Sequence, residues 1–172
     1  MFIWQHVNID PAEIEKTKKF FYETAELSTY FWLKVPLKEF LGLAVQEAVL
    51  IQFLPKVIQE LHTDMRLNGN RLALNFPLEN CDGSVTEFWE PTSTNIPTRP
   101  AVSSSMSTYT YYPKYKCRKI SEFKISDGPV IFRTDVPHLI NNFNNDKIRR
   151  VISVRFIEDP WHLVDVPPDQ RF

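Results

Sequence analysis

A histidine and an aspartate lie two residues apart in the segment LHTDMRL, just before a hydrophobic run of the sequence. Alternate residues of a β-strand project to the same face, so His62 and Asp64 on a strand could bind one metal ion together. In a helix the two side chains would point in different directions. Taken alone, the pair is more typical of a polar loop, so a metal site requires a further ligand.

A second histidine, near the end of the chain, offers that ligand. His138 begins the apolar segment HLINN, and Arg149 opens the segment RRVISVRF 11 residues later. An antiparallel hairpin would bring the ends of two such strands together. Two histidines and one carboxylate form the facial triad that holds Fe(II) in non-haem oxygenases and leaves coordination positions open. A nearby arginine suits a carboxylate ligand, because its planar guanidinium can hold both oxygens.

The elements that must position these residues are one or two helices followed by short strands. The segment DPAE is a helix start, with Asp10 as N-cap and Glu13 completing a capping box, and predicts a helix to about Thr24. A second helical pattern spans residues 37–45. Period-two patterns bounded by turn residues predict an opening strand and seven later ones. These strands are residues 1–8, 57–64, 71–78, 85–89, 119–125, 129–133, 138–142 and 150–156.

This order of elements predicts a mainly β fold, a sandwich or jelly roll with N-terminal helices, because antiparallel strands with tight turns need no crossover helices. A chain of 172 residues suits a single domain. We expect mostly helical support in 1–56, the jelly-roll core in 57–157 and a tail in 158–172. The Asn68-Gly69 turn is predicted to follow the strand of the metal pair. The segment 90–112, rich in Pro, Ser and Thr, is predicted to be a long surface loop.

Further polar residues could serve the same site. Asn75 interrupts an apolar strand, and a buried amide requires a partner, either a bound carboxylate or a backbone group. If Arg149 faces the site, Ser153 and Arg155 face it too, because alternate residues share a strand face. The opposite orientation would bring Arg150 to the site instead. Four aromatic residues could line a substrate entrance: Trp89, Tyr109, Tyr111 and Tyr112.

In combination, His62-Thr63-Asp64, His138 and RRVISVRF resemble the motifs of the 2-oxoglutarate/Fe(II)-dependent dioxygenases, in particular the phytanoyl-CoA dioxygenase-like branch. The resemblance covers about residues 61–156. It implies a double-stranded β-helix, a cupin-like jelly roll in which the three predicted ligands hold Fe(II). It also implies 2-oxoglutarate as cosubstrate, with Arg149 rather than Arg150 as its anchor. We expect a hydroxylase of an unidentified small molecule or amino-acid side chain, and phytanoyl-CoA is not carried over as its substrate because no coenzyme A motif is present.

Composition limits the partners and leaves alternatives open. The net charge of -1, from 20 basic and 21 acidic residues, gives no basic footprint for nucleic acid or an anionic membrane. Two cysteines form no disulfide framework, and no signal sequence or bilayer span is evident, so we expect a cytoplasmic protein with a small-molecule or peptide substrate. The alternatives are a non-catalytic cupin-type jelly roll that binds a metal or ligand, and a structural β-sandwich with incidental histidines.

Overall fold

Two antiparallel β-sheets and one α-helix make up the fold of this computed structural model, which describes residues 2–24, 32–65, 70–102 and 108–171. The elements in chain order are β1 Trp4–His6, α1 Pro11–Thr24, β2 Trp32–Val35, β3 Glu39–Phe40, β4 Leu43–Phe53, β5 His62–Met65, β6 Leu72–Glu79, β7 Val85–Pro91, β8 Arg99–Val102, β9 Thr108–Tyr111, β10 Cys117–Phe123, β11 Val130–Arg133, β12 His138–Asn141 and β13 Arg149–Phe156. The described part of the chain contains no helix with the length and apolar character of a membrane span.

The two sheets share the inner core of the molecule. The major sheet has the order β1-β11-β6-β13-β4-β2, with β3 pairing to β4, and the minor sheet has the order β10-β7-β12-β5-β9-β8. Ala73 and Val151 of the major sheet form one buried cluster with Phe88 and Phe123 of the minor sheet. The chain alternates between the two sheets from β4 to β7 and again from β10 to β13, as in a jelly roll, so the predicted double-stranded β-helix is confirmed.

Helix α1 covers the outer face of the major sheet. The Asp10 carboxylate accepts a hydrogen bond from the Ala12 amide at 2.7 Å, which caps the helix where the sequence predicts. The Phe21 ring is fully buried, with its centroid 6.1 Å from that of Phe40 and 6.3 Å from that of Phe76. Glu13 pairs with Lys16 instead of completing a capping box.

We expect Phe21→Ala to lower the free energy of unfolding by about 3–5 kcal/mol, because it removes a large aromatic ring from a closed core. The neighbouring Phe20 is 41% exposed. Phe20→Ala is therefore the matched control and should cost about 1 kcal/mol or less. Urea unfolding of both variants measures the difference. Equal losses would mean that α1 does not depend on its buried face.

The prediction of a second helix over residues 37–45 is wrong. This segment forms β3 and the start of β4, joined by a tight turn in which Leu41 and Gly42 have φ angles of 53° and 74°. Strand β4 lies between β13 and β2 and carries apolar residues on both faces, one towards α1 and one towards the other sheet. A strand covered on both sides lacks a period-two pattern, so its apolar residues mimicked helical spacing.

Two other segments differ from the sequence-based expectation. The segment predicted as a long loop contains the strands β8 and β9, which pair with each other and extend the minor sheet beside β5. Its Pro, Ser and Thr content masked the alternation of the TYTY sequence in β9. The strand predicted over 57–64 is reduced to β5 and an isolated bridge at Ile58. The predicted Asn68-Gly69 turn lies outside the described residues.

Candidate metal centre

The three predicted metal ligands converge between the sheets. His62 and Asp64 lie on β5, an inner strand of the minor sheet, and His138 begins the adjacent β12 directly opposite His62. One potential ligand atom from each residue lies within 4.8 Å of the other two. A small shift of the side chains would therefore allow all three to bind one ion. Their role as ligands stays a prediction that this geometry supports.

Backbone carbonyl groups orient both imidazole rings. Nδ1 of His62 lies 2.8 Å from the carbonyl oxygen of Glu60, and Nδ1 of His138 lies 2.8 Å from that of Val136. When each Nδ1–H donates to its carbonyl, Nε2 keeps its lone pair for a metal. Both Nε2 atoms face Asp64, at 3.2 Å from Oδ1 for His62 and 3.8 Å from Oδ2 for His138.

Burial and mutual charge set the protonation of the site. Burial lowers the pKa of His138 to about 4, and the charge of His62 acts in the same direction. Burial also lowers the pKa of His62, but the hydrogen bond and charge of Asp64 outweigh it and raise that pKa above its ordinary value. Burial favours the neutral form of Asp64, yet its bond to His62 and the nearby cations hold its pKa well below the usual range. At neutral pH, Asp64 is ionised and His138 is neutral.

We expect metal binding to release about one proton near pH 6, because a metal must displace the proton that the raised pKa of His62 retains. The affinity for Zn(II), a redox-inert probe, should rise with pH and level off above the pKa of His62. Calorimetric titration in two buffers with different ionisation enthalpies measures the protons released. Binding without proton release at that pH would show that His62 is already neutral.

Arg155 reaches across the cavity from β13 to the metal site. Its Nη2 lies 3.0 Å from Oδ2 of Asp64, and its side chain is 10% exposed. This charge-assisted hydrogen bond fixes the rotation of the carboxylate. The sequence-based prediction gave Arg155 an assisting role in cosubstrate binding, and the structure places it both in the cavity wall and on a predicted metal ligand.

A cavity of about 320 Å³ extends from the triad between the two sheets. Its apolar wall includes Val49, Ile51, Phe53, Phe132 and Ile140. Its polar groups include the predicted Asn75 and Ser153, which are cross-strand neighbours on β6 and β13, and also Gln52, Gln59 and Thr86. Asn75 is 4% exposed, and its Oδ1 atom makes no hydrogen bond to the described residues.

The structure orients β13 so that Arg149 points inward and Arg150 points outward. Arg150 hydrogen-bonds to Gln52 at 2.9 Å and pairs with Glu79, so it is not available to the cavity. Arg149 is fully buried, next to the Phe53 ring that lines the cavity, with the guanidinium carbon 5.5 Å from the ring centroid.

All three guanidinium nitrogens of Arg149, Nε, Nη1 and Nη2, are buried and form no hydrogen bond of ordinary geometry to the described residues. Burial lowers its pKa to about 10, partly opposed by the nearby Cys81 thiol, so Arg149 remains a cation at neutral pH. A buried cation that has only a weak acceptor, the Cys81 thiol, beside it is costly, which marks Arg149 as a residue that favours binding an anion.

Aromatic residues near the triad have two different roles. Tyr109 and Tyr111 on β9 line the cavity, with ring centroids 5.7 and 5.9 Å from that of His62. Trp89 and Tyr112 instead pack against a separate buried cluster that contains Leu61. Sequence reasoning missed Gln59, Thr86 and Phe53. Alternation along β7 could have indicated Thr86, whereas β4 lacks a period-two pattern that would indicate Phe53 and Gln59 lies outside any strand.

Comparison with protein-family models and with curated protein sequences found no match. Among solved structures, the chain is similar to a prolyl-4-hydroxylase from Pseudomonas putida, with 12% identity and a TM-score of 0.46, over 94% of this chain and 90% of that one. It is also similar to AviO1 from Streptomyces viridochromogenes Tue57, with 12% identity and a TM-score of 0.41, over 97% of this chain and 92% of that one. Because both sequence identities and both TM-scores are low, we base the proposed function on the geometry of the site alone.

Proposed function

We propose that the protein is an Fe(II)- and 2-oxoglutarate-dependent oxygenase, most simply a hydroxylase. The observation that carries the proposal is the fully buried guanidinium of Arg149, whose three nitrogen atoms form no hydrogen bond to the described residues and have only the weakly accepting Cys81 thiol nearby, behind a cavity that opens on a His-Asp-His cluster. The cluster suits a divalent metal, and the guanidinium suits a carboxylate. A dicarboxylate that also binds the metal would satisfy both.

The donor set fits Fe(II). Two imidazole nitrogens and one carboxylate oxygen from His62, Asp64 and His138 are the ligands of a facial triad, which leaves positions for other molecules. When bound, iron and 2-oxoglutarate would supply the oxidation of a C–H bond by dioxygen, with formation of succinate and carbon dioxide. The chain would contribute a fixed ligand geometry, in which Arg155 holds the carboxylate of Asp64 in one orientation.

The cosubstrate would lie between the metal and Arg149, which is behind the Phe53 side of the cavity. The guanidinium would hold the distant carboxylate by two charge-assisted hydrogen bonds, which are strong where water is excluded. Asn75, Ser153 and Thr86 would supply further hydrogen bonds along the cavity, and the apolar residues of β4 would exclude water from the site. We also propose that the protein belongs to the phytanoyl-CoA dioxygenase-like branch that the sequence motifs resemble. This part of the proposal does not extend to phytanoyl-CoA as the substrate.

An anaerobic titration with Fe(II) and 2-oxoglutarate tests the proposal. A weak visible absorption band should appear only when both are present, because it reports chelation of iron by the cosubstrate. Stoichiometric metal binding without this band would favour the non-catalytic cupin-type protein. If the protein binds neither Fe(II) nor Zn(II) at one equivalent, the remaining hypothesis is a structural β-sandwich in which the histidines are incidental.

A further inference from the structure

A second recess lies beside the cavity along the edge of the minor sheet. This recess, which we call the edge groove, has a volume of about 280 Å³. It is lined by Glu60, Pro97, Thr98, Arg99, Tyr111, Tyr112 and Pro113. Tyr111 lines both the edge groove and the metal cavity, so the two spaces adjoin at this residue.

Strand pairing places the edge groove at a defined distance from the triad. Arg99, Tyr111, His62 and His138 lie in one cross-strand row over β8, β9, β5 and β12. Neighbouring strands are about 4.8 Å apart, so Arg99 lies roughly 10 Å from His62 along the row. The Arg99 guanidinium carbon lies 4.2 Å from the centroid of the Tyr111 ring, which bridges this distance with an aromatic surface.

The edge groove carries one charge of each sign. Nη2 of Arg99 lies 3.1 Å from Oε2 of Glu60, and the two side chains are 62% and 71% exposed. The backbone carbonyl of Glu60 also accepts the hydrogen bond from His62, so this residue connects the groove to the metal site. An exposed ion pair of this kind contributes little to stability, and its members can exchange one partner for another at low cost.

We propose that the edge groove binds the α-ammonium and α-carboxylate groups of a free amino acid with a long, unbranched side chain. This proposal rests on the proposed function. The carboxylate binds the planar guanidinium of Arg99, and the ammonium binds Glu60. Because the ligand brings both charges, neither residue loses a partner. The side chain then passes Tyr111 and reaches the metal cavity, where one of its carbons is hydroxylated.

Two measurements on the full chain test this binding mode. The Zn(II)-loaded protein is first mixed with each of the twenty L-amino acids and followed by saturation-transfer NMR. The Fe(II)-loaded protein is then assayed for amino-acid-dependent formation of succinate from 2-oxoglutarate. At least one long-chain amino acid should bind to the protein and stimulate succinate formation. Its Nα-acetyl and methyl ester derivatives should do neither, because each derivative lacks one of the recognised charges.

The variants Arg99→Gln and Glu60→Gln should each raise the KM for that amino acid by about tenfold, since each loses one charge-assisted contact. The kcat should change little, because neither residue touches the metal ligands through its side chain. Arg118→Gln is the matched control. Arg118 is an exposed arginine paired with Glu90 at the opposite edge of the minor sheet, and its loss should leave KM unchanged.

The outcomes separate this inference from the proposed function. If the iron and 2-oxoglutarate band forms but no amino acid binds or stimulates, the edge groove is not an amino-acid site and the proposed function stands. Unchanged binding of the Nα-acetyl derivative, or an unchanged KM in Arg99→Gln, would also overturn the inference. Absence of the band would refute the proposed function, while NMR on the Zn(II)-loaded protein still reports on the groove.

Discussion

Replacing Asp64 with alanine should abolish iron binding and the iron-dependent consumption of 2-oxoglutarate. Asp64 is the anionic member of the triad, and its depressed pKa keeps it ionised over the whole range in which the protein would work. Without it, an incoming Fe(II) would meet two imidazoles and the Arg155 guanidinium, which repels a cation. We expect metal affinity and succinate formation to fall by at least about 100-fold, beyond the usual effect of losing an outer-sphere contact.

Equilibrium dialysis with metal analysis and an assay of succinate measure the two effects of Asp64→Ala separately. Asp146→Ala is the control, because Asp146 is an exposed aspartate paired with Lys56 on the surface. Asp64→Asn distinguishes charge from shape, since it keeps the side-chain volume and loses the anion. Full 2-oxoglutarate turnover by Asp64→Ala in the presence of iron would refute the metal-site assignment.

Replacing Arg149 with methionine should have two opposite effects, which a purely structural arginine would not show. The affinity for 2-oxoglutarate should fall by roughly 100-fold, the loss expected for two hydrogen bonds to a charged group. The stability of the protein without cosubstrate should rise by about 1 kcal/mol or more, because methionine fills a similar volume without burying an unpaired charge. Metal binding should be unchanged.

Arg150→Met is the matched control for this experiment, since it alters the neighbouring residue on the opposite face of β13. It removes the contacts to Gln52 and Glu79 and should leave 2-oxoglutarate affinity unaltered. Urea unfolding and the anaerobic visible titration report stability and affinity in the same samples. If Arg149→Met is less stable and still gives the full visible band, the guanidinium stabilises the core and the cosubstrate binds to other residues.

Local sequence patterns predicted the elements whose signals depend on neighbouring residues. The Asp10 cap and the following proline define the start of α1, because capping involves only the first helical turn. Period-two spacing on β5 placed His62 and Asp64 on one face, and the order of the ligands along the chain indicated iron chemistry. These inferences need no knowledge of what packs against the strand.

The orientation of β13 was decided by the tertiary structure. Its residues are apolar on both faces, with Val151 in the core between the sheets and Ile152 in the core under α1. Alternation therefore could not tell Arg149 from Arg150. The same covering of both faces made β4 resemble a helix. In both strands, the pattern of the sequence became ambiguous because each face buries its side chains.

The sequence by itself determined the chemistry available to this protein: a His-x-Asp pair, a distal histidine and an arginine at the start of the last long strand. The tertiary structure alone decided which arginine faces inward, that Arg155 contacts Asp64, and that Glu60 and Arg99 meet beside Tyr111. Such contacts join residues far apart in the chain. They follow from strand order and register, which are set by the packing of the two sheets as a whole.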